Sequence, residues 1–251
     1  MNTDEILVQC TASVPDQFRR RVAKHFGVEV VALPGGEVGR GTLNKLGQLR
    51  HPALDAEWIV LCDCDTVFTE PLPTTVFAPG IAAKLVDVGF PGIPFWNDLL
   101  GRLGLGAADA RPAEIGGVLT YRNNCNGGLY IGDRGCWACI GTEWQRAVDA
   151  LPAWVSVPAS WTRHYDQIAF GVACATLKLD VRLLGSELNF PFHLEPHGPN
   201  DLSPVILHHH QSLDSKRLRC RPGYETFSGV MSAVARVNAV LADVDWAGCG
   251  L

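Results

Sequence analysis

Short apolar runs alternate with segments of helical periodicity near the start of the chain. The run ILVQC at 6–10 predicts a strand, and the β-branched run VEVVAL at 28–33 predicts another. Between them, apolar residues recur at helical spacing, with Ser13 as a candidate cap and Gly27 as a stop. This order predicts a β-α-β unit, whose parallel strands bind ligands at their carboxyl ends.

The alternation continues along the rest of the chain. Helices are predicted at 42–56, 136–154, 164–179 and 226–244, and strands at 58–62, 124–132, 181–185 and 205–210. Residues 84–122 are rich in Gly and Pro, so we interpret them as a long irregular excursion that covers a cleft. Its aromatic residues form a candidate acceptor surface: Phe90, Phe95 and Trp96. The pattern as a whole predicts an α/β protein.

Composition narrows the classes of partner. The chain has 251 residues, 47% of them hydrophobic, which is enough for a full core. Its 21 basic and 26 acidic side chains give a net charge of −5 without a run of like charge, so we expect no nucleic-acid partner. No stretch approaches the roughly 20 apolar residues that span a bilayer. With nine scattered cysteines, which suit a reducing compartment, this predicts a soluble, cytoplasmic protein without a transmembrane segment.

Two carboxylates, Asp63 and Asp65, follow the buried run WIVLC. Residues two apart on a strand point to the same face, so both can enter one cleft. Their repulsion is relieved by a divalent cation such as Mn²⁺ or Mg²⁺, which also holds substrate phosphates. The alternative is a pair of strand-end residues that make turn and capping hydrogen bonds.

The same stretch, DCDTV, also satisfies the DxDx[TV] motif of the haloacid dehalogenase-like phosphatases. In those enzymes the first Asp is the nucleophile and the second is the general acid. They usually carry the motif on their first strand and a later GDxxxD acidic pair. Here a β-α-β unit precedes the motif and no such pair follows it, so this interpretation ranks second.

Three later stretches carry further candidate chemistry. Asn126 precedes two glycines, Gly127 and Gly128, where a backbone can approach a ligand closely, although a strand bulge also explains them. Asp166 and Gln167 open a predicted helix, as caps or as polar groups that face a ligand. The run VILHHH ends with two histidines on one face of a strand, and imidazole is a good third ligand for manganese. These two are His208 and His210.

The order of these motifs resembles the glycosyltransferases of the GT-A fold, particularly the glycogenin-like retaining group. Members have a basic residue on a helix, a strand ending in DxD, a strand of the form FNxGxxLI, a DQD helix and a late strand ending in a metal-binding His. In this chain the corresponding residues are, in order, Lys45, Asp63 with Asp65, Asn126 with Gly128, Asp166 with Gln167, and His208 or His210. The resemblance covers about residues 5–212.

This resemblance implies a Rossmann-like GT-A fold with a mostly parallel central sheet and helices on both faces. We expect a single domain over 1–251. Its parts would be a nucleotide-binding half at 1–83, an acceptor-side half at 84–225, and a C-terminal helix and tail at 226–251.

The resemblance also implies a metal-dependent transfer of sugar from a nucleotide diphosphate sugar, with a UDP-sugar favoured, to an acceptor of unknown identity. The expected donor contacts are Thr11, Ser13, Lys45, Asp63, Cys64, Asp65, Gly127 and Gly128. The expected metal ligands are Asp63, Asp65, His208 and His210, and the expected catalytic residues are Asn126, Asp166 and Gln167. Retention is favoured; an inverting enzyme would need a base, for which Asp166 is the first candidate.

Two motifs of the family are incomplete. The late motif HxxGxxKPW is replaced by HHHQSLDSKRL, with Lys216 as the candidate phosphate contact, and Ile168 stands where DQD has its second Asp. A non-catalytic nucleotide-sugar binder therefore remains an alternative.

Overall fold

The computed structural model describes most of the chain. The described ranges are 5–33, 44–49, 55–105, 111–154, 164–210, 212–214 and 216–246. Within them lie the helices α1 (Asp16–Phe26), α2 (Asn44–Gln48), α3 (Ile93–Arg102), α4 (Arg134–Trp154), α5 (Tyr165–Thr176) and α6 (Ser228–Ala242). None of the described helices is long and apolar enough to cross a membrane.

The strands form several small sheets. They are β1 (Leu7–Thr11), β2 (Glu29–Leu33), β3 (Trp58–Cys62), β4 (Thr66–Phe68), β5 (Ile81–Leu85), β6 (Pro112–Ile115), β7 (Val118–Tyr121), β8 (Cys125–Asp133), β9 (Arg182–Leu183), β10 (Ile206–His208), β11 (Leu213–Asp214) and β12 (Arg217–Leu218). The largest has four strands in the order β3-β8-β5-β9, and the others are the pairs β1-β2, β4-β10, β6-β7 and β11-β12.

The β-α-β prediction is confirmed by β1, α1 and β2, because the two strands pair in parallel. The helices predicted at 136–154, 164–179 and 226–244 are confirmed by α4, α5 and α6. The helix predicted at 42–56 is described only as α2; residues 50–54 lie outside the described ranges, and 55–57 are not helical.

The central sheet is mixed, so the expectation of a mostly parallel sheet is wrong for the described strands. β8 runs antiparallel to both β3 and β5, and only β5 and β9 pair in parallel. The reversal brings the start of β8 to the end of β3, where the Asp63 amide donates to the Gly128 carbonyl at 3.2 Å. Polar residues from oppositely directed strands thus meet at one edge.

Pairing along β8 is irregular where the glycines lie. Ala83 pairs with Tyr130 and Leu85 pairs with Cys125, so a step of two residues along β5 corresponds to a step of five along β8. The strand bulge that was one of the two interpretations of the glycines is therefore present, and the residues within it include Asn126, Gly127 and Gly128.

Each face of the central sheet packs against different elements. Ile59, Leu61 and Tyr130 join a core with α3, α4 and α5, whereas Val60, Leu129 and Ile131 pack on the other face. That second face meets Val76 of a 3-10 turn and Ile206 of β10. Helices on both faces are thus not found among the described residues, and α6 packs on a separate cluster around Phe190 and Tyr224.

The excursion predicted at 84–122 is more regular than expected. It contains the end of β5, the helix α3 and the hairpin β6-β7. Trp96 is fully buried against Tyr121, with ring centroids 5.0 Å apart, so it belongs to the core rather than to an acceptor surface. Phe90 remains half exposed. The helix α3 was not predicted because the segment is rich in Gly and Pro, although proline is common in the first turn of a helix, where α3 has it.

Candidate functional site

A buried lysine joins three of the predicted site elements. Lys45 Nζ of α2 lies 2.9 Å from Asp63 Oδ1, 2.8 Å from the carbonyl oxygen of Gly127 and 3.4 Å from Asp166 Oδ2. Lys45 is 7% exposed and Asp166 only 1%. The ammonium group therefore directs its donors at protein acceptors.

The charges in this cluster depend on one another. Burial alone would lower the pKa of Lys45, but the carboxylates of Asp166 and Asp63 raise it above its ordinary value. Burial raises the pKa of Asp166, and the attraction of Lys45 opposes this. Lys45 thus stays cationic at neutral pH and balances carboxylates that would otherwise repel each other.

Gly127 makes the lysine's position possible. A β-carbon at residue 127 would overlap Lys45 Nζ and would lie 3.3 Å from both Asp166 Oδ2 and Gln167 Nε2. The space expected for a ligand at this glycine is therefore filled by protein side chains. Asp166 is similarly enclosed, while the exposure of Gln167 is intermediate.

A second cluster forms around Asp65. The Nε2 atom of His208 lies 3.3 Å from Asp65 Oδ1, and Nδ1 of His210 lies 3.6 Å from Asp65 Oδ2. One ligand atom from each residue falls within 4.8 Å of the others. β10 pairs with β4 from His208 opposite Thr66, and the amide of His209 donates to the Asp65 carbonyl at 2.9 Å. This pairing aligns the histidines with the carboxylate.

The residues of this triad suit a divalent first-row metal ion. Both ring nitrogens of His208 are buried; Nδ1 makes no hydrogen bond with the described residues, and Nε2 faces Asp65 Oδ1 at 3.3 Å. Burial and the neighbouring His208 lower the pKa of His210, which keeps its imidazole neutral and able to bind a metal. Burial would raise the pKa of Asp65, but the adjacent histidines lower it to about 2. Two imidazoles and one carboxylate form a mixed N/O donor set of the kind that transition metals occupy.

The two carboxylates of DxD thus divide between two clusters. Of the four expected metal ligands, the structure brings Asp65, His208 and His210 together, while Asp63 pairs with Lys45. Gly128 links the clusters, because a β-carbon there would lie 2.7 Å from His208 Nδ1 and 2.6 Å from Asn189 Oδ1. The bare backbone of β8 therefore lies between the cluster of Lys45, Asp63 and Asp166 and the candidate metal-binding triad.

Asn126 lies in a polar network that sequence reasoning did not find. Its Oδ1 accepts hydrogen bonds from the Gly128 amide at 2.7 Å and from Asn189 Nδ2 at 2.9 Å, and its Nδ2 donates to Asp87. Asp87 also pairs with the buried Lys84. Asp87 follows the buried run IAAKLV just as Asp63 follows WIVLC, and this shared pattern was the available signal.

A third imidazole packs against the triad. The His193 ring lies 3.8 Å from the His210 ring, centroid to centroid, and His193 Nδ1 lies 3.3 Å from the carbonyl oxygen of His208. Burial and the charge of His210 lower the pKa of His193 to about 4. His193 lies in an irregular segment without periodicity, so nothing in the sequence indicated it.

The remaining predicted donor contacts lie apart from the two clusters or at their edge. Thr11 and Ser13 hydrogen-bond each other at 2.6 Å, at the end of a strand pair separate from the central sheet. Cys64 is exposed between the two aspartates. Lys216 Nζ lies 5.7 Å from the centroid of the Trp246 ring, so an aromatic contact takes the place of the expected phosphate contact.

Neither protein-family models nor curated proteins give a match to this chain.

Proposed function

We propose that this protein is a metal-dependent glycosyltransferase that moves a sugar from a nucleotide diphosphate sugar, a UDP-sugar in the first instance, to a hydroxyl of an acceptor. One observation carries the proposal: Asp65, His208 and His210 converge beside a cationic Lys45, although these residues come from widely separated parts of the sequence. Their order along the chain resembles that of GT-A enzymes, and this order, rather than the sheet, supports the proposal.

The metal would be held by Asp65, His208 and His210. A divalent cation bound there supplies positive charge that stabilises a departing diphosphate. The position of His208 Nε2 supports this assignment, because it is buried and faces the Asp65 carboxylate at 3.3 Å without a well-formed hydrogen bond. The presence of two imidazoles among the three ligands favours Mn²⁺ over Mg²⁺, since imidazole is a poor ligand for magnesium.

Protein side chains shape the edge around the metal ligands. The charge of Lys45 is balanced by Asp63 and Asp166, so we assign Lys45 to holding Gly127 and the end of β3 in place. Asp166 is too enclosed to meet an acceptor hydroxyl, so we assign it to positioning Lys45 rather than to base catalysis. Asp87, whose exposure is intermediate, is the group at the same edge that we assign to a sugar hydroxyl, and the buried Asn126 holds it in place.

In the transfer, the bond from the anomeric carbon to the diphosphate oxygen breaks and its electron pair stays with the diphosphate. A new bond forms from the acceptor hydroxyl oxygen to the same carbon. The hydroxyl proton passes to the released phosphate, which makes a protein base unnecessary and fits retention of configuration.

The phosphatase alternative receives less support. It requires Asp65 as a general acid, whereas the neighbouring histidines hold the pKa of Asp65 at about 2 and keep it ionised. It also requires Asp63 as a free nucleophile, and both of its oxygens lie within 3.1 Å of Lys45 Nζ.

Calorimetric titration with UDP and with GDP, each with and without Mn²⁺, tests the proposal. We expect metal-dependent binding of one nucleotide to the wild type and its loss in Asp65→Ala. The matched control is Asp98→Ala, which removes an exposed carboxylate paired only with Arg102 in the described contacts. Release of UDP from UDP-sugars then measures turnover. If the protein binds nucleotide but shows no turnover with any acceptor, the result would support a non-catalytic binder. Hydrolysis of simple phosphate esters would support the phosphatase.

A further inference from the structure

The two ring nitrogens of His208 have different surroundings. Nε2 faces Asp65 Oδ1 at 3.3 Å, so it is the nitrogen turned toward the triad. A neutral imidazole that binds a metal through Nε2 carries its proton on Nδ1. His208 is only 3% exposed, and its Nδ1 makes no hydrogen bond with the described residues. As a metal ligand, His208 therefore needs an acceptor for a buried N–H group.

Asn189 presents an unused acceptor at the same place. Its side chain is fully buried, and its Oδ1 makes no hydrogen bond with the described residues. A β-carbon at Gly128 would lie 2.6 Å from Asn189 Oδ1 and 2.7 Å from His208 Nδ1, so both atoms face one point beside the bare backbone of β8. A ring nitrogen that needs an acceptor and an oxygen that needs a donor thus lie near each other without being hydrogen-bonded.

Backbone hydrogen bonds hold the two residues side by side. The His208 amide donates to the Phe190 carbonyl at 2.8 Å, and the Phe190 amide donates to the Ile206 carbonyl at 2.8 Å, so the chain next to Asn189 is paired with β10. Asn189 has a φ of 75°, in the left-handed region that favours glycine and that Asn tolerates better than most residues. The amide side chain is therefore placed against β10 by a backbone conformation that few other residues adopt.

A chain of hydrogen bonds fixes which end of the Asn189 amide faces His208. Asn126 Oδ1 accepts from the Gly128 amide at 2.7 Å and Asn126 Nδ2 donates to the Asp87 carboxylate, so the opposite orientation of Asn126 would place donor against donor and acceptor against acceptor. The same Oδ1 accepts from Asn189 Nδ2 at 2.9 Å. Since Nδ2 of Asn189 is engaged there, its Oδ1 is the end left to accept from His208.

We propose that Asn189 is a positioning residue of the metal site: its Oδ1 accepts the Nδ1 proton of His208 and so holds Nε2 toward the metal. The inference rests on the metal site of the proposed function and adds a residue that acts through His208. A rotation of the imidazole or of the amide joins the two atoms, without a change in the backbone pairing. An acceptor on the far nitrogen fixes the ring orientation and makes the ligating nitrogen more basic, which strengthens metal binding.

Titration of the full chain with Mn²⁺, followed by the electron paramagnetic resonance of the free ion, tests the proposal. Asn189→Gly removes the amide and suits the positive φ, and it should weaken Mn²⁺ binding about 10–100-fold. Asn189→Asp keeps an accepting oxygen for His208 and should bind Mn²⁺ at least as tightly as the wild type, although it loses the donor to Asn126 and should be less stable. The matched control is Lys178→Gly, which changes an exposed residue with a φ of 52° and should leave the affinity unchanged. If the role of Asn189 were only structural, affinity would follow stability and both Asn189 variants would bind Mn²⁺ weakly, which would overturn the proposal.

Proton exchange at His208 gives a second readout that does not depend on the folding of a variant. In the Zn²⁺-loaded wild type, which is diamagnetic, the Nδ1–H group of ¹⁵N-labelled His208 should exchange slowly with solvent, and its signal is assigned by its absence from His208→Gln. In Asn189→Asp the slow exchange should persist, and in Asn189→Gly it should become fast. A Zn²⁺-loaded wild type whose His208 shows no protected Nδ1–H would overturn the proposal.

Nucleotide titration separates this inference from the proposed function. If the wild type binds Mn²⁺ and UDP but Asn189→Gly keeps the wild-type affinity for Mn²⁺, the role of Asn189 is wrong and the transferase proposal stands. If Mn²⁺ binding depends on Asn189 as expected but neither UDP nor GDP binds, the transferase proposal fails and the role of Asn189 in the metal site stands. A wild type that does not bind Mn²⁺ would overturn both.

Discussion

The ammonium nitrogen of Lys45 lies 2.8 Å from the carbonyl oxygen of Gly127, in the space that a side chain at residue 127 would fill. Two elements far apart in sequence, α2 and β8, are thereby fixed to each other. The contact depends on the absence of a single methyl group. Glycine at this position is therefore a condition for the ion cluster of Lys45, Asp63 and Asp166.

Gly127→Ala should expel the lysine from this cluster and leave Asp63 and Asp166 without their counter-charge. We expect a loss of about 3 kcal/mol in the free energy of unfolding, as for a broken buried ion pair. Urea denaturation followed by circular dichroism measures it. Gly101→Ala is the control, because a β-carbon there meets nothing within 4 Å, and it should stabilise α3 by about 0.5–1 kcal/mol. Equal stability of the Gly127→Ala variant and the wild type would contradict the close contact.

Lys45→Met should cost about 3–5 kcal/mol of unfolding free energy at neutral pH, because it leaves two carboxylates facing each other. Adding Asp166→Asn should recover part of that cost, since one of the repelling charges is then removed. A double-mutant cycle by urea denaturation gives the coupling between Lys45 and Asp166. The exposed pair Arg102 and Asp98 provides the comparison, with an expected coupling of about 0–1 kcal/mol. Similar coupling in both cycles would show that burial does not strengthen the Lys45 pair.

Asp133 caps α4 and ties it to the turn that precedes β5. Its Oδ1 accepts from the Cys136 amide at 2.8 Å and its Oδ2 from the Gly80 amide at 2.7 Å, which lowers the pKa of Asp133. A lowered pKa in the folded state adds stability above the unfolded pKa, and this is lost as pH falls through the folded pKa. Asp133→Ala should therefore cost about 1 kcal/mol at neutral pH and less in acid. Unfolding curves at neutral and acidic pH measure both values; Asp133→Asn keeps one accepting oxygen but turns Nδ2 toward the other amide, so its cost should be similar at both pH values. A cost for Asp133→Ala that is independent of pH would exclude the charged cap.

Tyr130→Phe should leave stability unchanged or raise it by about 1 kcal/mol. The Tyr130 hydroxyl is fully buried and makes no hydrogen bond with the described residues, so its removal relieves a desolvated polar group. Tyr121→Phe is the matched control, because the equally enclosed Tyr121 hydroxyl accepts from Asn123 Nδ2 at 3.0 Å. Its removal should cost about 1 kcal/mol. Thermal unfolding of both variants decides; a larger loss for Tyr130→Phe would indicate an ordered water at its hydroxyl.

The strands of the central sheet were predictable but their directions were not. Uninterrupted apolar runs such as WIVLC identify buried strands because both faces of the sheet are covered. Apolar alternation has the same period in either direction, so nothing in NCNGGLYIG shows that β8 runs against β3. The direction depends on pairing between residues far apart in sequence, such as Leu61 with Tyr130.

The closeness of His208 and His210 was predicted from the sequence, but its cause was not. They were expected on one face of a strand, whereas β10 ends at His208 and His210 lies beyond it with a φ of 46°. The pairing of Lys45 with Asp166 could not be inferred, because residues 121 positions apart meet only after the fold brings α2 and α5 together. That Asp63 and Asp65 have different partners could not be inferred either. A repeat of two residues predicts that they share one face, but it does not predict which residues they contact.

The number of residues in the irregular stretch of β8 matters for the site but not for pairing in the central sheet. Its ladder with β3 from Leu129 onward does not depend on how many residues precede it. Deleting one residue between Cys125 and Leu129 would therefore leave a sheet that can still form, while Gly127 and Gly128 could no longer face Lys45 and His208 together. Chain length in this bulge is thus a constraint on the site that the stability of the folded protein alone would not reveal.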